Sequence, residues 1–167
     1  MGWTELNFTV ILPPRGQARS RHRTVTTKAG RTFSTAYKAT EQKKDEDKLL
    51  ALLFEHRPPR PLKGPLRLDI VAYLPIPASY SKKKRDAALS CELMPTVKPD
   101  IDNVAKHVID VMTGVFYDDD KQFVKVLLEK MYGEVPRYEI TIGYLVDRQV
   151  DGYVTVNPPE CPAEHGG

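Results

Sequence analysis

Ile101, Val104, Ala105, Val108, Ile109 and Met112 recur at the spacing of one helix face. No other stretch constrains the fold as tightly. Gly114 is placed to end this helix. Pro99 precedes it and pushes Lys98 toward extended geometry, so the chain enters the helix through a turn. Asp100 and Asp102 sit at that entry, where exposed N–H groups and the helix dipole favour acids. A second acidic group, Asp118-Asp119-Asp120, follows the other end. One element therefore carries carboxylates at both of its ends.

The flanking segments supply the rest of a domain. Leu6, Phe8, Val10 and Leu12 alternate with polar residues, which predicts a half-buried strand ended by Pro13-Pro14. Arg15 to Arg23 lacks apolar periodicity and is expected to be an exposed, mobile basic loop. Thr24 to Thr27 and Arg31 to Phe33 flank Lys28-Ala29-Gly30, which predicts a small hairpin. A helix capped by Ser34 or Thr35 should run to about Glu55, with a solvated middle and buried C-terminal turns. Leu66, Leu68, Ile70, Ala72 and Leu74 mark one face of a second strand. Ser81 to Leu89 is expected as a short helix with Ser81 as its cap, inside a long insertion from Tyr80 to Val97. Gln122 to Tyr132 and Tyr138 to Tyr144 both alternate and are expected to pair as a hairpin. The order predicts a single α+β domain over residues 1–147, a small mixed or antiparallel sheet with helices on one face. Residues 148–167 are expected to form a weakly ordered tail.

A chain of 167 residues, 41% hydrophobic and 28% charged, suits one domain with a real core. The net charge of +3 says little, but its distribution says more. Six Lys or Arg and no Asp or Glu fall between Arg15 and Arg31, and Lys82-Lys83-Lys84-Arg85 is a second basic run. Two such runs predict phosphate-backbone contacts rather than a merely solvated face. Cys91 and Cys161 have no neighbours at metal-ligand spacing, which fits reduced thiols. No apolar run spans a bilayer, and the N-terminus shows no basic-then-apolar signal pattern, so a cytoplasmic protein without membrane contact is expected.

An N-cap role accounts for one of Asp100 and Asp102, not for the pair or for Asp118 to Asp120. Asp102, Lys106 and Asp110 share a polar helix face, where a surface acid–base pair is worth ~0.2–0.5 kcal/mol. The helix is ~18 Å long at 1.5 Å per residue. The second acid group reaches the first only if Val115 to Asp120 returns as extended chain, which six residues can span. Converging carboxylates need a cation to stay ionised together. Oxygen-only donors suit Mg²⁺, or Mn²⁺, rather than zinc. Such an ion beside basic phosphate contacts points to phosphoryl chemistry, with Lys106 at the edge to neutralise the developing charge.

Lys98-Pro99-Asp100-Ile101-Asp102-Asn103, Lys106 and Asp119-Asp120-Lys121-Gln122 resemble the RusA-type Holliday junction resolvases, phage and prophage members most closely. The Gln17-Ala18-Arg19 and Arg21 region, the Gly30 hairpin and Ser81 to Arg85 agree, so the resemblance spans roughly Leu6 to Leu145. It implies a Mg²⁺-dependent homodimeric endonuclease, without a small-molecule cofactor, that resolves four-way DNA junctions by paired symmetric nicks in recombination and repair. The family's catalytic carboxylates and metal ligands fall on Asp100, Asp102 and Asp120, with Asp119 open as an alternative to Asp120, and its essential lysine on Lys106. Arg15, Arg19, Arg21, Arg23, Lys82, Lys83, Lys84, Arg85 and Lys98 are the candidate DNA contacts, expected to position DNA without reading sequence. Two other readings compete. A non-catalytic nucleic-acid-binding protein would use its acids as caps and solvated charge. A sugar-nucleotide transferase would use Asp100 and Asp102, but no nucleotide-binding strand–loop–helix is visible.

Overall fold

The computed structural model describes residues 2–17, 21–26, 32–37 and 40–146. The elements in chain order are strands β1 (Trp3–Val10), β2 (Arg21–Thr26) and β3 (Thr32–Tyr37), helix α1 (Thr40–Phe54), strand β4 (Leu66–Pro75), helices α2 (Lys82–Leu89) and α3 (Ile101–Met112), and strands β5 (Phe123–Gly133) and β6 (Arg137–Leu145). A 3-10 turn, Asp120–Gln122, precedes β5. The fold is α+β, with one mixed four-stranded sheet in the order β1-β6-β4-β5 and a separate two-stranded β2–β3 ribbon. Among the described residues, no helix is long and apolar enough to cross a membrane.

The core follows from the alternations. Register sets Phe8 beside Ile140, Ile140 beside Ile70, and Ile70 beside Leu128 on one face. Leu49 and Leu53 of α1 and Val104, Val108 and Met112 of α3 close that face into a single cluster. Burial of this apolar area is the main stabilising term, at roughly 25 cal/mol per Å². Leu74, Tyr132 and Ala88 of α2 form a satellite cluster at one end of the sheet. Both clusters lie on the same face, so the helices pack on one side as expected.

Four expectations need correction. The basic segment is not one mobile loop: Gln17 N–H donates to the Asn103 carbonyl at 2.9 Å, and Arg21, His22 and Arg23 belong to β2. Ser34 and Thr35 do not cap α1, because both lie in β3 opposite Thr24 and Arg23. At the end of α1 only Leu49 and Leu53 are buried, while Leu52 and Phe54 are exposed. The last two strands do not form a hairpin. β4 lies between them, parallel to β5 and antiparallel to β6. The chain crosses over the end of β4 at Gly133, where a Cβ would come within 3.1 Å of Tyr73 Cβ. A side chain there would obstruct the crossing. The β2–β3 ribbon bears out the predicted hairpin, and Ser81 caps α2 by accepting from Lys84 N–H at 3.4 Å. The expected tail, the hairpin turn residues and Arg19 lie outside the described residues.

Candidate metal and nucleic-acid site

Asp100 occupies the N-cap of α3 but makes no capping bond with its side chain. Only its carbonyl serves the helix, accepting from Val104 N–H at 3.0 Å. Its carboxylate accepts one long bond from Asn103 Nδ2 at 3.4 Å. Asp102, in the first turn, is exposed. Neither acid is in an ion pair among the described residues. The helix dipole favours them there, yet their oxygens stay free for another partner.

The segment carrying Asp100 is held from below by Lys130. Val126, Leu128 and Tyr132 share the helix-side face of β5, and Lys130 interrupts that apolar series opposite Ala72. Its ammonium donates to the Val97 carbonyl at 2.8 Å and to the Pro99 carbonyl at 3.0 Å. On the other flank, Arg15 N–H donates to the Tyr138 hydroxyl at 2.8 Å, and the Gln17 amide donates to Asp110. Burial pushes the Tyr138 hydroxyl up to about 12, so it stays protonated and keeps this strap intact. Lys106 is exposed on α3, on the face that also bears Asp102 and Asp110.

The second acid group is built differently. Asp118 pairs with Lys63. Asp119 accepts from Lys121 N–H at 3.0 Å and bridges Lys121 Nζ at 3.0 Å. That backbone donor, followed by the lysine side chain, holds its carboxyl below the usual range. Gln122 uses its whole amide on this turn. Its Oε1 accepts from Asp118 N–H at 2.9 Å and Asp119 N–H at 3.0 Å. Its Nε2 donates to the Leu62 carbonyl at 3.0 Å and the Gly64 carbonyl at 3.1 Å. Asp120 is exposed beside them.

The two groups are not brought together within the chain. The extended return along α3 does not occur. Gly114, at a φ of +80°, lets the chain reverse tightly, and Gly114 N–H donates to the Tyr117 carbonyl at 2.7 Å. The chain then enters β5 beside Leu62–Gly64. Lys130 and Gln122 mark the two sites along β5, eight residues and so ~26 Å apart at ~3.3 Å per residue. Among the described residues no three His, Cys, Asp or Glu gather as a metal-holding group. Asp100 and Asp102 fit a hard cation in donor chemistry, but one chain supplies the pair and not the set.

Some of the basic candidates stand at the same end of the sheet as Asp100. Lys98 and Arg15 line the same cleft as Asp100. Lys82, Lys83, Lys84 and Arg85 are exposed on α2, which packs through Ala88 against Leu74 and Tyr132 at that end of the sheet. Lys84 Nζ lies 4.0 Å from the Tyr80 ring centroid. Arg21 and Arg23 stand on β2. Sequence reasoning missed Lys130 and the role of Gln122. A lone cation on an otherwise apolar strand face was the available signal for Lys130. For Gln122 the signal was its place three residues after Asp119, the spacing of a capping box, whereas its bonds to the Leu62 and Gly64 carbonyls come from a distant segment that spacing does not show.

The uncharacterized protein YqaN of Bacillus subtilis (strain 168) is 42% identical over 90 residues, which cover 53% of this chain. The match spans 63% of the length of that curated relative. The family profile described as endodeoxyribonuclease RusA matches residues 12–143, which include both acid groups, Lys106, Gln122 and Lys130. The chain belongs to the RusA endodeoxyribonuclease family.

Proposed function

We propose that this protein is a metal-dependent endodeoxyribonuclease that resolves four-way DNA junctions by paired nicks, and that each of its sites is completed by a second copy of the chain. Such a role places it with DNA in the cytoplasm, in recombination and repair. The observation that carries the reading is the placement of the two acid groups at opposite ends of one exposed edge. β5 is an edge strand, and Val124, Val126 and Leu127 on it are 65%, 41% and 47% exposed. A long apolar edge of this kind is uncommon unless something covers it. Two copies of β5 paired antiparallel about Val126 set Gln122 of each opposite Lys130 of the other. Asp120 of one copy then approaches Asp100 and Asp102 of the other, twice over. The two-fold arrangement is isologous and matches the near two-fold symmetry of a junction.

Each site would hold Asp100, Asp102 and the partner's Asp120 as metal ligands. The engagement of Asp119 in capping supports Asp120 rather than Asp119. A bound Mg²⁺ or Mn²⁺ supplies Lewis acidity toward the scissile phosphate and a water of lowered pKa. Lys106, one turn from Asp102, neutralises charge that develops on the phosphate oxygens. Lys98, Arg15, Arg21, Arg23 and the α2 lysines bind the arms through phosphates, so affinity falls steeply with salt. Arg19 carries the same role by resemblance.

Mixing inactive subunits tests the reading. Asp102→Asn and Asp120→Asn homodimers should each bind a junction and fail to cut it in Mg²⁺. Exchanged subunits carry both lesions in one site and none in the other, so the mixture should regain nicking of one strand per junction. A mixture that stays inactive after verified subunit exchange rejects the shared site. Wild-type protein that binds junctions but cuts no branched DNA in Mg²⁺ or Mn²⁺ rejects the nuclease in favour of a binding protein.

A further inference from the structure

A cleft of about 850 Å³ opens beside Asp100. Its volume lies in the ~300–1,000 Å³ range of sites that enclose small ligands. We infer that it receives an unstacked nucleobase of the cleaved strand, from a nucleotide next to the scissile phosphate. The inference rests on the nuclease reading and goes on to name what that site recognises.

Two pairs of prolines face the cleft, Pro13 and Pro14 from the exit of β1, and Pro75 and Pro77 from the end of β4. Their rings offer flat apolar surface to the face of a base. Tyr132 adds to the wall, and its hydroxyl is already engaged at 3.2 Å by that of Tyr80. The polar side chains of the lining are Arg15, Gln17, Lys98, Asp100 and Asn103. Asn103 also lines the cleft, and its amide makes only the long contact to Asp100, so a donor and an acceptor remain for a base edge. Lys98 and Arg15 are exposed at the cleft and suit the phosphates on either side of the base. Apolar proline faces combined with an amide reader and cationic groups are complementary to one nucleotide.

The cleft is preformed. Arg15 N–H is held by Tyr138 at 2.8 Å and Gln17 N–H by the Asn103 carbonyl at 2.9 Å. Between them Gly16 packs so closely that a Cβ would lie 3.1 Å from Asn103 Cβ and 3.2 Å from Pro99 Cβ. The wall from Pro13 to Gln17 is therefore tied to α3 and β6. Asp100 belongs to the cleft and to the acid pair alike, so a phosphate at the acids puts its neighbouring base at the cleft mouth. Where a bound four-way junction is held open, the bases at its exchange point lose a stacking partner, and extrusion costs less there. Base insertion thus ties cutting to branched DNA and gives the site a means of preferring one base.

The test places 2-aminopurine, one position at a time, in the nucleotides around the cut of a synthetic four-way junction. Binding is read in Ca²⁺, without turnover. With wild-type protein one position should brighten severalfold, and an abasic site at that position should slow Mg²⁺-dependent cleavage by ~10-fold or more, as loss of one stacked base does elsewhere. Pro77→Trp fills the cleft from its rim. It should keep junction affinity and circular dichroism, lose the brightening, and cut intact and abasic junctions at the same reduced rate. Should that variant misfold, Asn103→Ala serves instead, and its base preference at the responding position should be lost. No responding position with wild-type protein, or an unchanged response in the folded variants, overturns the inference. Cleavage that persists without any response removes the base pocket alone, whereas junctions bound with the response but never cut remove the nuclease reading.

Discussion

The two acid-bearing ends of α3 contrast in how their carboxylates are used. At the entry, Asp100 and Asp102 are exposed and, among the described residues, committed to nothing stronger than one 3.4 Å contact. Past the exit, Asp118 and Asp119 are spent on Lys63, Lys121 and a backbone N–H group, and Asp120 is exposed and in none of these pairs. Each end is held by one long side chain associated with β5, Lys130 at the entry and Gln122 at the exit. Lys130 binds carbonyls of the segment that carries the acids, and Gln122 binds the acids' own N–H groups. Free carboxylates on a fixed backbone are suited to a ligand, whereas satisfied ones build a turn. The same residue type is thus left uncommitted at one end and, at Asp118 and Asp119, tied into the turn at the other.

That contrast is breakable. The largest effect is expected for Asp102→Asn, which should reduce cleavage to background while junction binding and the thermal midpoint stay close to wild type. A large loss of stability would put Asp102 in the structural class. Asp119→Asn should do the reverse, keeping cleavage and lowering the midpoint. Next comes Gln122→Ala. It strands two N–H groups and two carbonyls, and one unsatisfied buried group costs ~1–3 kcal/mol. Because these bonds are exposed or part-buried, chemical denaturation should show a loss within that range, with exchange-fast amides at Asp118 and Asp119. An unchanged denaturation midpoint would mean that solvent replaces all four bonds.

Lys130→Met removes the support under Asp100 without touching an acid. Groups that orient metal ligands typically change affinity ~10–100-fold when removed, and a loss of this size is expected in a Mn²⁺ binding isotherm. Lys130→Arg should recover part of it, since a cation can again reach the two carbonyls. Equal Mn²⁺ affinity in both variants would leave Lys130 a packing residue only. The smallest effect concerns pH. The Asp119 carboxyl titrates below its unfolded value of ~3.9, so its contribution is present above that value and is lost as pH falls through the lower folded one. Carboxyl chemical shifts should show Asp119 titrating below the ordinary aspartate value, and a normal value would contradict its role as cap.

Much of this was legible in the residues themselves. The helix at 101–112 was recoverable because six apolar positions repeat at one spacing, and β4 because five apolar residues alternate without a break. The ordered acids, Lys106 and Gln122 carried the family resemblance. The start of α1 was misplaced because Ser34 and Thr35 are good caps in isolation, but a pairing with Arg23 and Thr24 already used their backbone. Lys130 was overlooked because a lysine in a strand reads as solvent-facing until its register beside Ala72 is known.

By itself the sequence determined the local periodicities, the mixed α+β class, the capping of α2 and the chemical character of the acid and basic segments. These depend on side-chain spacing and on neighbours a few residues away, which a linear chain displays. Only the tertiary structure decided that β4 separates β5 from β6, that β5 is left as an apolar edge, and that the two acid groups stay at opposite ends of α3. Strand order and loop direction depend on contacts between segments far apart in the chain. An alternating strand pairs equally well with several partners until burial of the whole face selects one arrangement.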